Sequence, residues 1–231
     1  MILGGNALIW IIFIGFTLIS WIISNQLKSR FKKYSEIPTD NGMSGRDVAE
    51  KILRDNGITG VKIGSVEGML TDHYNPIDKT INLSHDVYYG KSIAAAAVAA
   101  HETGHALQHA KGYSMLKLRS TLVPMVEFAS HWVQWILLAG ILLVNSFPGL
   151  LLMGITLFAV TTLFSFVTLP VEIDASHRAL VWLRNSGVTN YQTQEYAFDA
   201  LKWAAYTYVI AALSSLATLL YYVMIYLNRR E

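Results

Sequence analysis

The sequence contains no cysteine. No disulfide framework is available, and any metal site must be built from His, Asp and Glu, which excludes structural zinc fingers. Charge is scarce as well. Asp, Glu, Lys and Arg make up 15% of the 231 residues, against about 25% in an ordinary soluble domain. A disordered chain needs the opposite composition, high charge and few apolar residues. Nor does one sign dominate: 18 Lys and Arg against 16 Asp and Glu leave a formal charge of +2. That provides no basic field, so nucleic acid is not an expected partner. What is abundant is apolar, at 53%. A membrane protein with a modest polar domain remains.

Residues 7–23 carry no charge, and about 20 apolar residues cross a hydrocarbon core. No basic segment precedes this run, and Lys28, Arg30, Lys32 and Lys33 follow it, which marks an anchor and not a cleaved signal. A second apolar region, 122–169, is too long for one span and breaks at Asn145-Ser146-Phe147-Pro148-Gly149. It reads as a helical hairpin, 124–145 and 149–169. A fourth span covers 204–227. Residues 25–121 and 171–203 then share one side of the bilayer. That side has Lys28, Arg30, Lys32, Lys33, Lys117, Arg119 and Lys202 near the spans; the other has only Arg229 and Arg230. The positive-inside rule places the polar domain in the cytoplasm. Trp21, Trp132, Trp135 and Trp203 read as interfacial aromatics. Glu127 and His131, spaced i,i+4 inside or near the second span, are candidates for a functional pair, but read better as a buried pair facing the bundle interior near the interface.

In the polar part, 44–57 reads as an amphipathic helix capped by Ser44 and stopped at Gly57. Residues 61–90 read as a sheet of two or three short strands, one of them Lys79–Ser84. A helix is expected from Ser92 to about Lys111, where Gly112 ends it.

That helix contains Ala100-His101-Glu102-Thr103-Gly104-His105-Ala106, an H-E-x-x-H pattern. Residues four apart on a helix differ by about 40° in direction, so both imidazoles project from one face. They can bind one zinc ion, with Glu102 beside the first ligand as general base. His109 lies about 12 Å along the axis from His101, too far to share the ion. A catalytic zinc usually has three protein ligands. The third is sought among His73, His85, Glu172, Asp174, His177, Glu195 and Asp199. Glu172 and Asp174 point about 200° apart on a helix, so one alone can face the metal. Asp174 has an i,i+4 partner in Arg178, whereas Glu172 has none, and spacing favours Glu172.

These segments, together with Asp72-His73-Tyr74-Asn75-Pro76, Asn82-Leu83-Ser84 and Leu169-Pro170-Val171-Glu172-Ile173-Asp174-Ala175-Ser176, resemble the YugP family of bacterial membrane zinc metallopeptidases over nearly the whole chain. They are more distantly similar to HtpX and to the prenyl-protein proteases of the Ste24 type. The resemblance implies a gluzincin mechanism and gives Glu172 the ligand role. The distant relatives carry an aspartate four residues after that glutamate, supporting a histidine; this chain has Ser176 there. His177 and Arg178 are candidates for stabilising an oxyanion, and Ser176 for supporting a ligand.

The expectation is therefore a mainly α integral membrane protein with four transmembrane helices and a cytoplasmic-side α+β zincin-like domain containing a small sheet. By residue the regions are 1–24 (first span), 25–121 (metallopeptidase domain), 122–170 (hairpin), 171–203 (segment completing the zinc site) and 204–231 (fourth span and tail). The expected activity is a zinc endopeptidase of the bacterial plasma membrane. It carries one Zn²⁺ per chain and acts on peptide or membrane-protein substrates. A non-catalytic zinc-ordered membrane scaffold that binds other membrane proteins, and a zinc hydrolase of non-peptide substrates, are the alternatives. Thr80, Ile81, Asn82 and Leu83 are candidates for an edge strand that holds the substrate main chain, with an ordinary inner strand as the alternative.

Overall fold

The computed structural model describes the backbone of residues 2–228 and side chains from Trp10 onward; Arg229 and Arg230, part of the topology argument, lie outside the described residues. The elements are α1 (Ile2–Ser35), α2 (Gly45–Asp55), β1 (Lys62–Val66), β2 (His73–Asn75), β3 (Thr80–Ser84), α3 (His85–Tyr88), α4 (Ile93–Ala110), α5 (Ser114–Leu142), α6 (Pro148–Asn185) and α7 (Tyr191–Asn228). The chain separates into two compact units. One holds α1 through Ile22, Leu118–Leu169 and α7 from Thr207; the other holds Ile23–Lys117 and Pro170–Tyr206. Four helices, α1, α5, α6 and α7, are long and apolar enough to cross a membrane.

All four of those helices run on past the apolar segments read from the sequence. Pro170 sits inside α6. A proline removes one ladder hydrogen bond, but fifteen further residues of helix follow to Asn185, so the helix continues. Glu172 therefore rides on the extension of an apolar helix and not on a separate segment.

The polar unit has a soluble-type core. Ser44 caps α2 in a reciprocal box: its hydroxyl accepts from the Asp47 amide at 3.2 Å, and the Asp47 carboxylate accepts from the Ser44 amide at 2.9 Å. Those bonds satisfy two donors that the first turn leaves open, and they hold the Asp47 carboxyl below its usual range. Val48, Ala49, Ile52 and Leu53 form the buried stripe of α2. Ser92 caps α4 by accepting from the Ala95 amide at 3.2 Å. Ala94–Ala97, Ala99 and Ala100 are all buried. A helix this poor in side-chain bulk accepts neighbours all round, and α4 becomes the centre of the unit, packed with Ile81, Leu83, Val87, Leu183 and Ala197.

The sheet has the order β1-β3-β2. β3 pairs in parallel with β1, Lys62 opposite Thr80, and antiparallel with β2, Tyr74 opposite Ile81. This corrects the expectation for Thr80–Leu83: β3 is the inner strand. Its main-chain groups serve two neighbours, and Ile81 and Leu83 are fully buried. Hydrophobicity explains the placement, because the most apolar of the three strands takes the middle. The open edges belong to β1 and β2.

In the other unit the apolar side chains point outward. Trp10, Trp21, Phe128, Trp132, Trp135, Leu142, Met153 and Leu220 are exposed. The interior is small and built on close approach. Val133, Leu137, Leu151 and Ile155 form its core. A Cβ on Gly140 would sit 2.6 Å from the Leu151 Cα, so only glycine lets α5 and α6 meet there. Thr162 and Ser215 hydrogen-bond at 2.7 Å between α6 and α7, the kind of small-polar link common between apolar helices.

Candidate metal centre

His101 and His105 leave α4 on the same face, with ring centroids 4.8 Å apart. Glu172 meets them from α6. Its Oε2 lies 3.2 Å from His101 Nε2 and 3.6 Å from His105 Nε2. Tetrahedral zinc with bonds of about 2.0–2.1 Å spaces its ligand atoms about 3.3 Å apart, and both distances are near that value. Gly104 makes the convergence possible. A Cβ there would lie 2.8 Å from the Ala175 carbonyl oxygen and 3.2 Å from its Cα. A side chain at 104 would drive the two helices apart and withdraw Glu172.

The donor set is arranged for positive charge. Burial pushes the Glu172 carboxyl up, but hydrogen bonds from His101 and His105 and their charges hold it far below the usual carboxylate range. Burial pushes the His105 imidazole down, yet the Glu172 hydrogen bond and the charges of Glu102 and Glu172 leave it raised. Glu172 is 2% exposed. An ionised carboxylate buried that deeply needs positive charge beside it, which protonated imidazoles or a metal ion among the three groups would supply. The residues fit zinc in donor type, in spacing and in charge.

A second layer orients the rings. Gln108 is fully buried, and its amide nitrogen donates to the Val171 carbonyl and to Asp174 Oδ2, both at 2.8 Å. Both partners are acceptors, so the amide orientation is settled. Its Oε1 therefore faces His105 Nδ1, 3.0 Å away, and must accept from it. That fixes the proton on Nδ1 and leaves the Nε2 lone pair for a metal. Arg178 completes the chain, donating to Asp174 at 2.6 and 3.2 Å. Burial pushes the Asp174 carboxyl up, but the bonds from Arg178 and Gln108 outweigh it and leave the carboxyl below its usual range. Ser176 Oγ lies 3.0 Å from His101 Nδ1, occupying the place where the distant relatives have an aspartate.

Glu102 is buried beside these ligands at 9% exposure. Among the described residues no hydrogen bond occupies its carboxylate. Its charge and, above all, burial raise the Asp72 carboxyl. Asp72 is anchored by the Ser84 amide at 2.7 Å and the Ser84 hydroxyl at 3.1 Å, which ties the start of β2 to the end of β3.

The remaining candidates stand apart. His73 hydrogen-bonds the Thr71 carbonyl and Asn82. His85 and His177 are exposed, as is Glu195. Asp199 accepts from Tyr34 at 2.7 Å and pairs with Arg30 and Lys202. His109 meets the Tyr74 hydroxyl at 2.8 Å. Arg178, a candidate oxyanion donor, has its guanidinium on Asp174. Sequence reasoning missed Gln108. Its signal was present: it sits i+3 from His105, within reach on a helix.

Comparison with known proteins agrees with the geometry. Residues 9–227 match a family described as "putative neutral zinc metallopeptidase". The chain is 43% identical over 206 residues to the "Putative membrane protease YugP" of Bacillus subtilis (strain 168), covering 89% of this chain and 91% of that protein. No solved structure matches the chain. A family model that spans nearly every residue, and a relative matched along its length, place the chain in the neutral zinc metallopeptidase family.

Proposed function

We propose that this protein is a membrane-embedded zinc endopeptidase of the gluzincin type, with Glu102 as general base and its polar unit in the cytoplasm. The convergence of His101, His105 and Glu172 beside an uncommitted Glu102 carries the reading. His101 and His105 would hold the ion through Nε2 and Glu172 through Oε2. Zinc supplies Lewis acidity, lowering the pKa of a water to about 7 and polarising a carbonyl oxygen. Glu102 takes the proton from the attacking water and passes it to the leaving amine. Gln108 and Ser176 keep the two imidazoles in the tautomer that ligation requires. A scaffold would need the ligands but not Glu102, so the carboxylate favours an enzyme.

The test pairs zinc quantitation with digestion of an unfolded casein by purified wild type and Glu102→Gln. Equal zinc with turnover lower by about 10²–10⁴-fold is expected; wild-type turnover in the variant would overturn the assignment of the base. The four apolar helices and their outward Trp, Phe and Leu side chains support insertion. The basic residues 28–33, 117, 119 and 202 support the cytoplasmic side. A reporter active only in the cytoplasm, fused after Lys33, should be active; silence there would invert the topology.

A further inference from the structure

The sequence suggested that Glu127 and His131 face the bundle interior. They face outward instead. Between Pro124 and Leu138 the buried residues of α5 are Ala129, Val133 and Leu137, and Gly140 backs onto Leu151. His131 lies about 200° round the helix from Val133. Glu127, His131 and Gln134 are all exposed, and neither Glu127 nor His131 makes a hydrogen bond or ion pair among the described residues. If Arg119 marks the membrane surface, Glu127 lies about 12 Å and His131 about 18 Å along the axis from it. Both then fall within a hydrocarbon core about 30 Å thick. Ionisable groups at that depth are costly to leave against lipid and normally find a partner.

The exposed arc of α5 is divided. Glu127, His131 and Gln134 lie along one side, and Met125, Phe128, Trp132 and Trp135 along the other. The polar side has a strict alternation: Pro124, Glu127, His131, Gln134 and Leu138 follow one another at intervals of three and four, all exposed. That is the seam spacing of two helices wound together. The aromatic side suits lipid.

We propose that this polar seam is the interface with a second copy of the same chain, the two α5 helices packed side by side in the membrane. The inference rests on the membrane reading above. Two copies inserted the same way round have parallel α5 helices, related by a two-fold axis along the membrane normal. Each seam residue then meets its own counterpart or one a turn away. Gln134 is self-complementary, since an amide both donates and accepts. Glu127 of each copy accepts from His131 of the other, one turn along, so the two pairs form together. A partner of unrelated sequence would have to supply an acceptor and a donor at the same spacing; a second copy carries them already.

The natural absence of cysteine makes the test direct. Leu138→Cys, in the seam, and Met125→Cys, on the aromatic side, are expressed as full chains and oxidised in native membranes. Leu138→Cys should give at least about tenfold more covalent dimer than Met125→Cys. Adding Glu127→Leu, His131→Leu and Gln134→Leu to Leu138→Cys should lower the dimer by at least about tenfold with zinc content unchanged. Equal dimer from both cysteines, dimer that survives the triple change, or a product linked to a different protein would overturn the proposal. Alkaline carbonate extraction separates the two readings. A chain released from the membrane fraction defeats the membrane reading, whereas a retained chain that does not cross-link defeats this inference alone.

Discussion

Helices α4 and α5 follow one another in the chain and solve opposite problems. α4 is wrapped: its alanines are buried, and of the polar residues it carries inward Thr103, His105 and Gln108 each have a hydrogen-bond partner, while Glu102 is enclosed with them beside the candidate ligands. α5 buries little beyond Ala129, Val133 and Leu137 and shows Trp, Phe and Met outside. In one unit polar chemistry is enclosed by apolar packing; in the other apolar side chains form the surface. The difference teaches that burial alone does not say which solvent an element was selected for. What surrounds the polar groups does: they are enclosed along α4 and isolated on the outside of α5.

Changes in one unit should therefore leave the other's defining property intact, and the largest effect belongs to the metal ligands. The double change His101→Ala, His105→Ala should abolish zinc binding by metal analysis, with the protein still in the membrane fraction. Full zinc occupancy in that variant would remove the site. A smaller effect is expected one layer out. Gln108→Leu removes the acceptor that holds the His105 proton and should weaken zinc binding by about 10–100-fold, read by competition with a chelator. Unchanged affinity would mean that the His105 tautomer is set elsewhere.

The smallest effects sharpen the comparison most. Gly104→Ala and Gly140→Ala each press a methyl against backbone, the Ala175 carbonyl in one case and the Leu151 Cα in the other. Each should cost about 1–3 kcal/mol of stability, as overpacking does. Only Gly104→Ala should also loosen zinc, because Glu172 sits on the helix it displaces. Loss of zinc in Gly140→Ala at equal stability would show that the units do not separate as described.

The parts of this arrangement that depend on neighbours in sequence were legible in it. The caps at Ser44 and Ser92, the shared face of His101 and His105, and the Asp174–Arg178 pair all follow from spacing of three or four residues. Glu172 was preferred over Asp174 by elimination on the same ground. What failed needed non-local information. The middle position of β3 is set by pairing on both flanks, which periodicity does not encode. The outward aim of Glu127 and His131 depends on which face of α5 meets α6, and that is set by Gly140 against Leu151. The uninterrupted α6 was hidden because Pro170 resembles a boundary when read alone.

Gln108 has a further consequence. It grips α6 at Val171 and Asp174, on either side of Glu172, while its other end prepares His105. On the proposed zinc site, the same contact that brings Glu172 within reach also leaves His105 Nε2 ready to bind. The site therefore has a built-in conjunction: a chain in which α6 has not docked against α4 lacks a ligand and presents His105 with its ring proton unassigned. Metal affinity at this centre is then coupled to the docking of the two helices, because the metal free energy is gained only in the folded arrangement.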